Sequence, residues 1–393
     1  MTVTKTLSLE DQIKQLALDE GAVLVGICSA NSIKEKEASD PTYLLPEAKS
    51  VISIAINLNP EKIYPYLSKE ARDPFVEHQD DVYKDLKRIG EKIKIFLEDK
   101  GFKAVNCDLN FDYRNVKKDK NLPKTLETFV NLIDKDKDEN IQLTEKEKGM
   151  LERMNKMIDA TSDPKNAKEN NLKNFVPELS HKCVAVAAGL GRVGWSGNLV
   201  TENYGARVLL NSIITDAELK PDKIMEENPC NKCKLCEKAC QSGLFARKNE
   251  EQKITIAGVE ETIGKRSSIA YCAPICGGMI GQNRFKEWST WSPYRLKEVE
   301  FLPSDDSIDE FCQNLILNAI KEGGVKAKHM LVQAKATHYG LHNKPKGQYV
   351  PTCACCQLIC GPTMQERKKS YKLLKDGGCV ELGGKWDLEY CLK

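Results

Sequence analysis

The sequence predicts a mixed α/β (α+β) protein on three observations. Helical and strand-like patterns alternate over the first hundred residues, a densely charged stretch interrupts them, and a cysteine-rich half follows. In the alternating part, DQIKQLALDEG reads as an amphipathic helix stopped by Gly21, AVLVGICSA and SVISIAINL as buried strands, and DVYKDLKRIGEKIKIFLEDKG as a long helix stopped by Gly101. From about Cys107 to Asn174 Lys, Asp, Glu and Asn dominate, which marks a surface insertion. VPELSHKCVAVAAGLGRVGWSGNLVTENYGARVLLNSIITDAEL then returns to Gly and β-branched residues, with CVAVAA strand-like. A further amphipathic helix, SIDEFCQNLILNAI, lies between two cysteine-dense segments. The expected organisation is an α/β domain from 1–105 with 175–222, an insertion over 106–174, and a cysteine-rich domain over 223–393 with its own insertion at 277–352.

Length and charge narrow the function classes. The 393 residues leave room for two or three domains. Fifty-nine basic against fifty-seven acidic residues give a net charge of +2, so no global field attracts nucleic acid or anionic lipid. No apolar run approaches the ~20 residues that cross a bilayer. MTVTKTLSLEDQIKQLALDEGAVLVG lacks the basic-then-apolar pattern of a signal peptide and a twin-arginine pair. A cytoplasmic protein with reduced or metallated cysteines is expected, without a membrane partner.

Cys230, Cys233, Cys236 and Cys240, in NPCNKCKLCEKACQSG, follow the Cys-x-x-Cys-x-x-Cys-x-x-x-Cys spacing of an iron-sulfur binder. In two-cluster ferredoxins the fourth cysteine of such a run ligates the other cluster, so a second group is required. PTCACCQLICGP supplies Cys353, Cys356 and Cys360. Cys230, Cys233, Cys236 and Cys360 are thus expected on one 4Fe-4S cluster, and Cys240, Cys353 and Cys356 on a second. Zinc is the competing reading, but four thiolates so close on one loop suit a cubane better than a tetrahedron. Two clusters need eight ligands and the runs give seven. Cys272 is the preferred eighth, with Cys276 as its alternative, because Pro274, Gly277 and Gly278 allow a tight loop around them. Cys28, Cys107, Cys183 and Cys312 lie in apolar stretches and read as core residues. Ferredoxin runs usually continue with Pro, whereas Gln241 follows Cys240 and Gly361 follows Cys360.

Gly189, Gly191 and Gly194 form G-x-G-x-x-G after CVAVAA, with Asp216 about twenty residues on, which superficially matches a dinucleotide fingerprint. Gly197, Asn198 and TENYG break the helix that should follow. A glycine-rich turn at a domain joint, or a loop laid against a flat cofactor, fits better.

The order LLPEAKSVISIAINL, HKCVAVAAGLGRVGWSGNLVTENYGARVLLNSIITDAEL, CNKCKLCEKAC and CACCQLIC resembles the cobalamin-dependent iron-sulfur reductases, the superfamily of epoxyqueuosine reductases and reductive dehalogenases. The resemblance implies a nitroreductase-like domain holding base-off cobalamin, joined to a ferredoxin-like domain with two 4Fe-4S clusters. It implies a corrinoid lining of Gly189, Leu190, Gly191, Arg192, Val193, Gly194, Trp195, Ser196, Gly197 and Asn198, with Tyr204, Gly205, Ala206 and Arg207. It also implies a reduced ferredoxin or flavodoxin-type donor and a general acid over the corrin face. Epoxyqueuosine reductases carry an Asp shortly before the AGLG block; the position here is Phe175. Glu178, His181 and Lys182, or Tyr64 and Tyr66, are the candidates for that role. Thirty-three residues follow Cys360, too few for the helical-repeat tail of many tRNA-acting members. A small organic substrate is therefore expected and a nucleic-acid partner is not. The alternatives are an electron-transfer protein that activates another corrinoid enzyme, a tRNA epoxyqueuosine reductase, or a pyridine-nucleotide oxidoreductase.

The insertion holds one more motif. In IDKDKDENIQLTEKE, Asp134, Asp136, Asp138, Asn140, Gln142 and Glu145 take positions 1, 3, 5, 7, 9 and 12 of an EF-hand loop, a calcium site. Leu126, Phe129, Val130 and Ile133 before it, and Met150, Leu151, Met154, Met157 and Ile158 after it, give the flanks a helical pattern, so an EF-hand-like helical insertion is expected. Glu139 departs from the Gly that position 6 normally needs.

Overall fold

The computed structural model describes residues 7–109, 122–161, 177–241, 250–266, 272, 275, 278–283, 285–294, 308–324, 327–328 and 353–384. The first half alternates as the sequence predicts: α1 (Leu9–Asp19), β1 (Leu24–Ser29), β2 (Ser50–Asn57), α2 (Pro60–Leu67), α3 (Asp73–Glu98) and β3 (Ala104–Asn106). Ser8 caps α1 by accepting from the Asp11 N–H, and Asn59 caps α2 through the Glu61 N–H. The insertion contributes α4 (Leu122–Asp136) and α5 (Glu145–Thr161). Next come α6 (His181–Ala187), the two-residue strands β4 (Arg192–Val193) and β5 (Leu199–Val200), and β6 (Val208–Thr215). The cysteine-rich half holds α7 (Leu235–Lys238), the hairpin β7 (Glu251–Ile256) and β8 (Val259–Gly264), then α8 (Ile308–Glu322), α9 (Cys355–Leu358) and α10 (Met364–Asp376).

The main sheet has the order β1-β2-β6-β3 and every pairing in it is antiparallel. Both faces are covered, which explains why SVISIAIN is apolar almost throughout rather than alternating. Ile27, Ile52, Ile54 and Ile213 point toward α1 and α3, meeting Ile13, Leu86, Ile89, Ile93 and Leu97. Cys28, Val51, Ala55 and Ile214 point the other way, against Val184, Ala185 and Ala188 of α6 and its end. The first cluster of core residues continues without a break into Trp195, Cys236, Ala239, Cys355, Leu358 and Leu374. The cysteine module therefore shares a core with the sheet.

One expectation fails here. CVAVAA forms the end of a helix, α6, not a strand. A short, wholly apolar run has no period that separates the two states, and this one is buried on all sides between sheet and hairpin. The dinucleotide fingerprint falls with it, since that motif needs a strand before the glycines and a helix after them. Here a helix precedes the glycines and a tight β4-β5 hairpin follows. Asp216 accepts from the Lys103 N–H at 2.8 Å and serves the β3 edge.

Candidate cysteine site and its glycine bridge

Two short helices present the cysteine runs in the same way. Each is entered through a left-handed residue, Lys234 (φ 59°) before α7 and Ala354 (φ 45°) before α9. Both residues carry a Cβ, so the conformation costs roughly 1–2 kcal/mol at each. Lys232 (φ 53°) adds a third such residue. Strain of this kind persists where surrounding contacts fix it, commonly at sites that hold ligands.

The runs interleave. Cys230, Cys233, Cys236 and Cys360 line one partly open pocket together with Trp195, Val200, Ile359 and Arg367. Burial pushes the Cys236 thiol far up, and Cys356, Cys360, Cys230 and Cys233 add to the shift as neighbouring sulfurs. Cys356 is pushed up to about 12, first by burial and then by Cys353 and Cys240. Cys353 is raised by its hydrogen bond with Cys355 and by burial. Cys272 packs on the same small apolar cluster as Cys240 and Cys353, around Ile275, Met279 and Cys312. Cys276 lies outside the described residues. Cys355 is buried in the core, as are Cys28, Cys107 and Cys312, while Cys183 is half-buried.

These groupings fit iron-sulfur clusters on chemistry. Buried sulfurs crowded together resist ionising unless a cation neutralises them. Among the described residues no group of three or more His, Cys, Asp or Glu is arranged to hold a single metal ion. A zinc tetrahedron would need four sulfurs about 2.3 Å from one point, whereas a cubane spreads its thiolates over separate irons.

The glycine segment lies directly on both groups. The Trp195 N–H donates to Cys230 Sγ at 3.3 Å, and the Asn198 side-chain amide donates to Cys356 Sγ at 3.5 Å. Trp195 is held by its indole N–H on Glu237 of α7 at 2.9 Å. A Cβ at Gly194 would crowd Cys230 and Val200, one at Gly205 would collide with the Cys360 carbonyl, and one at Gly191 with that of Val200. A Cβ at Gly189 would meet the Lys223 carbonyl, and one at Gly197 the Arg266 guanidinium, which also bonds the Ser196 carbonyl. The glycines thus admit protein atoms at all five positions. Leu190, Val193, Trp195, Ser196, Ala206 and Arg207 are buried. Surface remains at Gly189, Arg192, Asn198 and Tyr204, and Arg192 is engaged by Glu261 and by the Met225 and Glu226 carbonyls.

The candidate proton donors scatter. His181 bonds Ser212 Oγ and the Asp108 carbonyl, each at 2.9 Å. Glu178 is buried beside Cys107. Tyr66 stacks on Phe75 and Trp291 in the core. Tyr64 lies under the Lys369 ammonium at 4.0 Å and the Arg207 guanidinium at 5.5 Å. Lys182 donates to the Gly197 carbonyl at 2.9 Å, and burial followed by the Arg266 charge lowers its pKa. Lys182 and Tyr64 are the two that reach the glycine-associated residues. Phe175 lies outside the described residues.

Four residues that bear on the site escape sequence reasoning. Arg367, 3% exposed, donates to the Gly361 carbonyl at 2.7 Å, Asn231 at 2.9 Å and the Pro229 and Pro362 carbonyls, tying both cysteine runs together. Lys69 and Arg266 place charge near Cys353 and Cys356. Gln241 touches Cys353, and its replacement of the usual proline is the one signal the sequence offers.

The acidic loop sits between α4 and α5, in the expected helix-loop-helix order. Three of its carboxylates have protein partners. Asp134 accepts from the Gly324 N–H at 2.7 Å and pairs with Lys328 at 3.3 Å, Asp138 accepts from Asn140, and Glu145 pairs with Lys148. Ile141 is exposed.

No family model matches the chain. The tetrachloroethene reductive dehalogenase of Desulfitobacterium hafniense is 36% identical over 70 residues, 17% of this chain and 13% of that protein. The epoxyqueuosine reductase of Bacillus cereus is 32% identical over 88 residues, 22% of this chain and 23% of that protein. Both matches span less than a quarter of the relatives' own length. Among solved structures, a reductive dehalogenase studied for B12-dependent dehalogenation overlays with a TM-score of 0.42 at 15% identity, covering 87% of this chain and 39% of that one. Epoxyqueuosine reductase from Streptococcus thermophilus gives 0.38 at 13%, covering 94% and 98%. The curated matches fall on both branches and bear out the resemblance to the cobalamin-dependent iron-sulfur reductase superfamily of epoxyqueuosine reductases and reductive dehalogenases.

Proposed function

We propose that the chain is a corrinoid- and 4Fe-4S-dependent reductase of small organic substrates, fed by a reduced ferredoxin or flavodoxin-type donor. The observation that carries the reading is the interleaving of the two cysteine runs under one glycine segment that hydrogen-bonds a sulfur of each. Cys230, Cys233, Cys236 and Cys360 would hold the first cluster, and Cys240, Cys353, Cys356 and Cys272 the second. The cobalamin rests on the sequence resemblance to the superfamily. When bound, it supplies the low-valent metal that reduces the substrate.

The chain's own residues supply the surroundings of that chemistry. Gly194 and Gly205 let the backbone approach Cys230 and the Cys360 carbonyl closely. Trp195 and Asn198 orient two of the sulfurs. Lys182, with its proton loosened by burial, is the proton donor best placed toward Gly197.

The protein-filled contacts of all five glycines favour a second reading, an electron-transfer protein that reduces another corrinoid enzyme and holds no corrinoid itself. Anaerobic reconstitution followed by iron and cobalt analysis separates the two. About eight irons with one corrinoid per chain supports the reductase, and about eight irons with no corrinoid supports the electron carrier. Release of product from epoxyqueuosine-modified tRNA by the loaded protein would replace the small substrate with RNA.

For the acidic loop we propose a calcium ion that Asp134 takes by releasing Gly324 and Lys328. Titration calorimetry on the protein and on Asp134→Ala tests it: equal heats in both would remove the site.

A further inference from the structure

The two cysteine groups receive different hydrogen bonds. At the first, the sulfur-directed donors among the described residues are backbone groups, the Trp195 N–H on Cys230 and the Ala206 N–H toward Cys360. At the second, two side-chain amides reach sulfur: Asn198 on Cys356 at 3.5 Å and Gln241 on Cys353 at 3.0 Å. Gln241 is 1% exposed and stands immediately after Cys240, where ferredoxin runs usually carry proline. The matching position after Cys360 is Gly361, which has no side chain to offer. Both ends of the Gln241 amide lie against Cys353, with Oε1 at 3.2 Å accepting from the thiol. A sulfur bound to iron has no proton to give, so only the Nε2 donation survives in the metallated state. Cations lie near both groups, Arg367 beside Cys360 and Lys69 and Arg266 beside Cys353 and Cys356, so the side-chain amides are what only the second group has among the described residues.

Hydrogen bonds to cluster sulfurs stabilise the more negative, reduced state and raise the reduction potential. We infer that Gln241 is a positioning residue that raises the reduction potential of the second cluster through its donation to Cys353. The inference rests on the two-cluster reading of the site. Each step moves one electron, from an external reduced donor to a cluster and then between clusters, with no bond made or broken.

The test is a dithionite titration of the anaerobically reconstituted full chain, followed by electron paramagnetic resonance. Iron is counted first: four or fewer irons per chain would overturn the two-cluster reading, and this inference with it, before any potential is read. With both clusters present, Gln241→Leu is expected to lower one signal's midpoint and leave the other in place. At a fixed solution potential the reduced-to-oxidised ratio of that cluster should fall about tenfold, which is about 59 mV for a one-electron couple. Asn198→Leu should move the same signal in the same direction, identifying it as the Cys356 cluster. Gln241→Glu keeps the shape, replaces the donor by a carboxylate, and should lower the signal further, so it serves where Gln241→Leu loses iron. Full iron with both midpoints unchanged, or with both moved equally, overturns the assignment.

Discussion

His181 illustrates at the residue scale how a functional-looking side chain is used by the fold. Its Nε2 faces a carbonyl, which only accepts, so Nε2 carries the proton and Nδ1 accepts from Ser212. The imidazole is thus held neutral, and burial lowers its pKa below the ordinary 6.5. The unfolded chain binds that proton more readily than the native one. The associated stability is therefore present above about pH 6.5 and is lost as pH falls from there toward the lowered native value. His78, also lowered by burial, acts in the same direction. Denaturant midpoints should fall between pH 7.5 and 5.5 in the parent protein and fall less in His181→Gln, which should itself be less stable by about 1–2 kcal/mol at pH 7.5. An equal pH slope in both would mean that His181 is not the titrating group. The sequence made the cysteines legible because their spacing is local. It could not reveal His181's role, because Ser212 and Asp108 are far away along the chain.

The same contrast holds for elements. α1 and α3 form where their helical period and stop residues placed them, and β1 and β2 where short apolar runs were read as buried strands. CVAVAA was too short and too uniformly apolar, and the sheet and hairpin packed around it decide for helix. α10 was not anticipated at all, although one of its residues holds the cysteine runs together. Arg367 spans Pro229 and Asn231 on one side and Gly361 and Pro362 on the other, flanking Cys230 and Cys360. A lysine has one compact head in place of the planar fork and cannot serve both sides. Arg367→Lys is expected to reduce iron after reconstitution from about eight toward about four per chain, with the second cluster's resonance retained. Loss of both resonances together would show that Arg367 supports the whole module instead of one site.

At the scale of the whole molecule, the decisive feature is that segments more than a hundred residues apart share each site. Cys236 feels Cys360 and Cys356 as neighbours, and Cys356 feels Cys240. The short helices α7 and α9 therefore dock as a pair within the core that also carries Trp195 and the sheet helices. An arrangement with one run per cluster would need only local closure; the interleaved one cannot form until both runs meet, so its chain-entropy cost is borne by global folding. Single substitutions distinguish the two. Cys240→Ser should lose the same resonance as Cys353→Ser and spare the other, although Cys240 belongs to the first run. Cys360→Ser should lose the resonance that Cys233→Ser loses, although Cys360 belongs to the second. Grouping of Cys240 with Cys233 in that experiment would mean that each run holds its own cluster, and the shared cavity of Cys230, Cys233, Cys236 and Cys360 would then have no cluster to explain it.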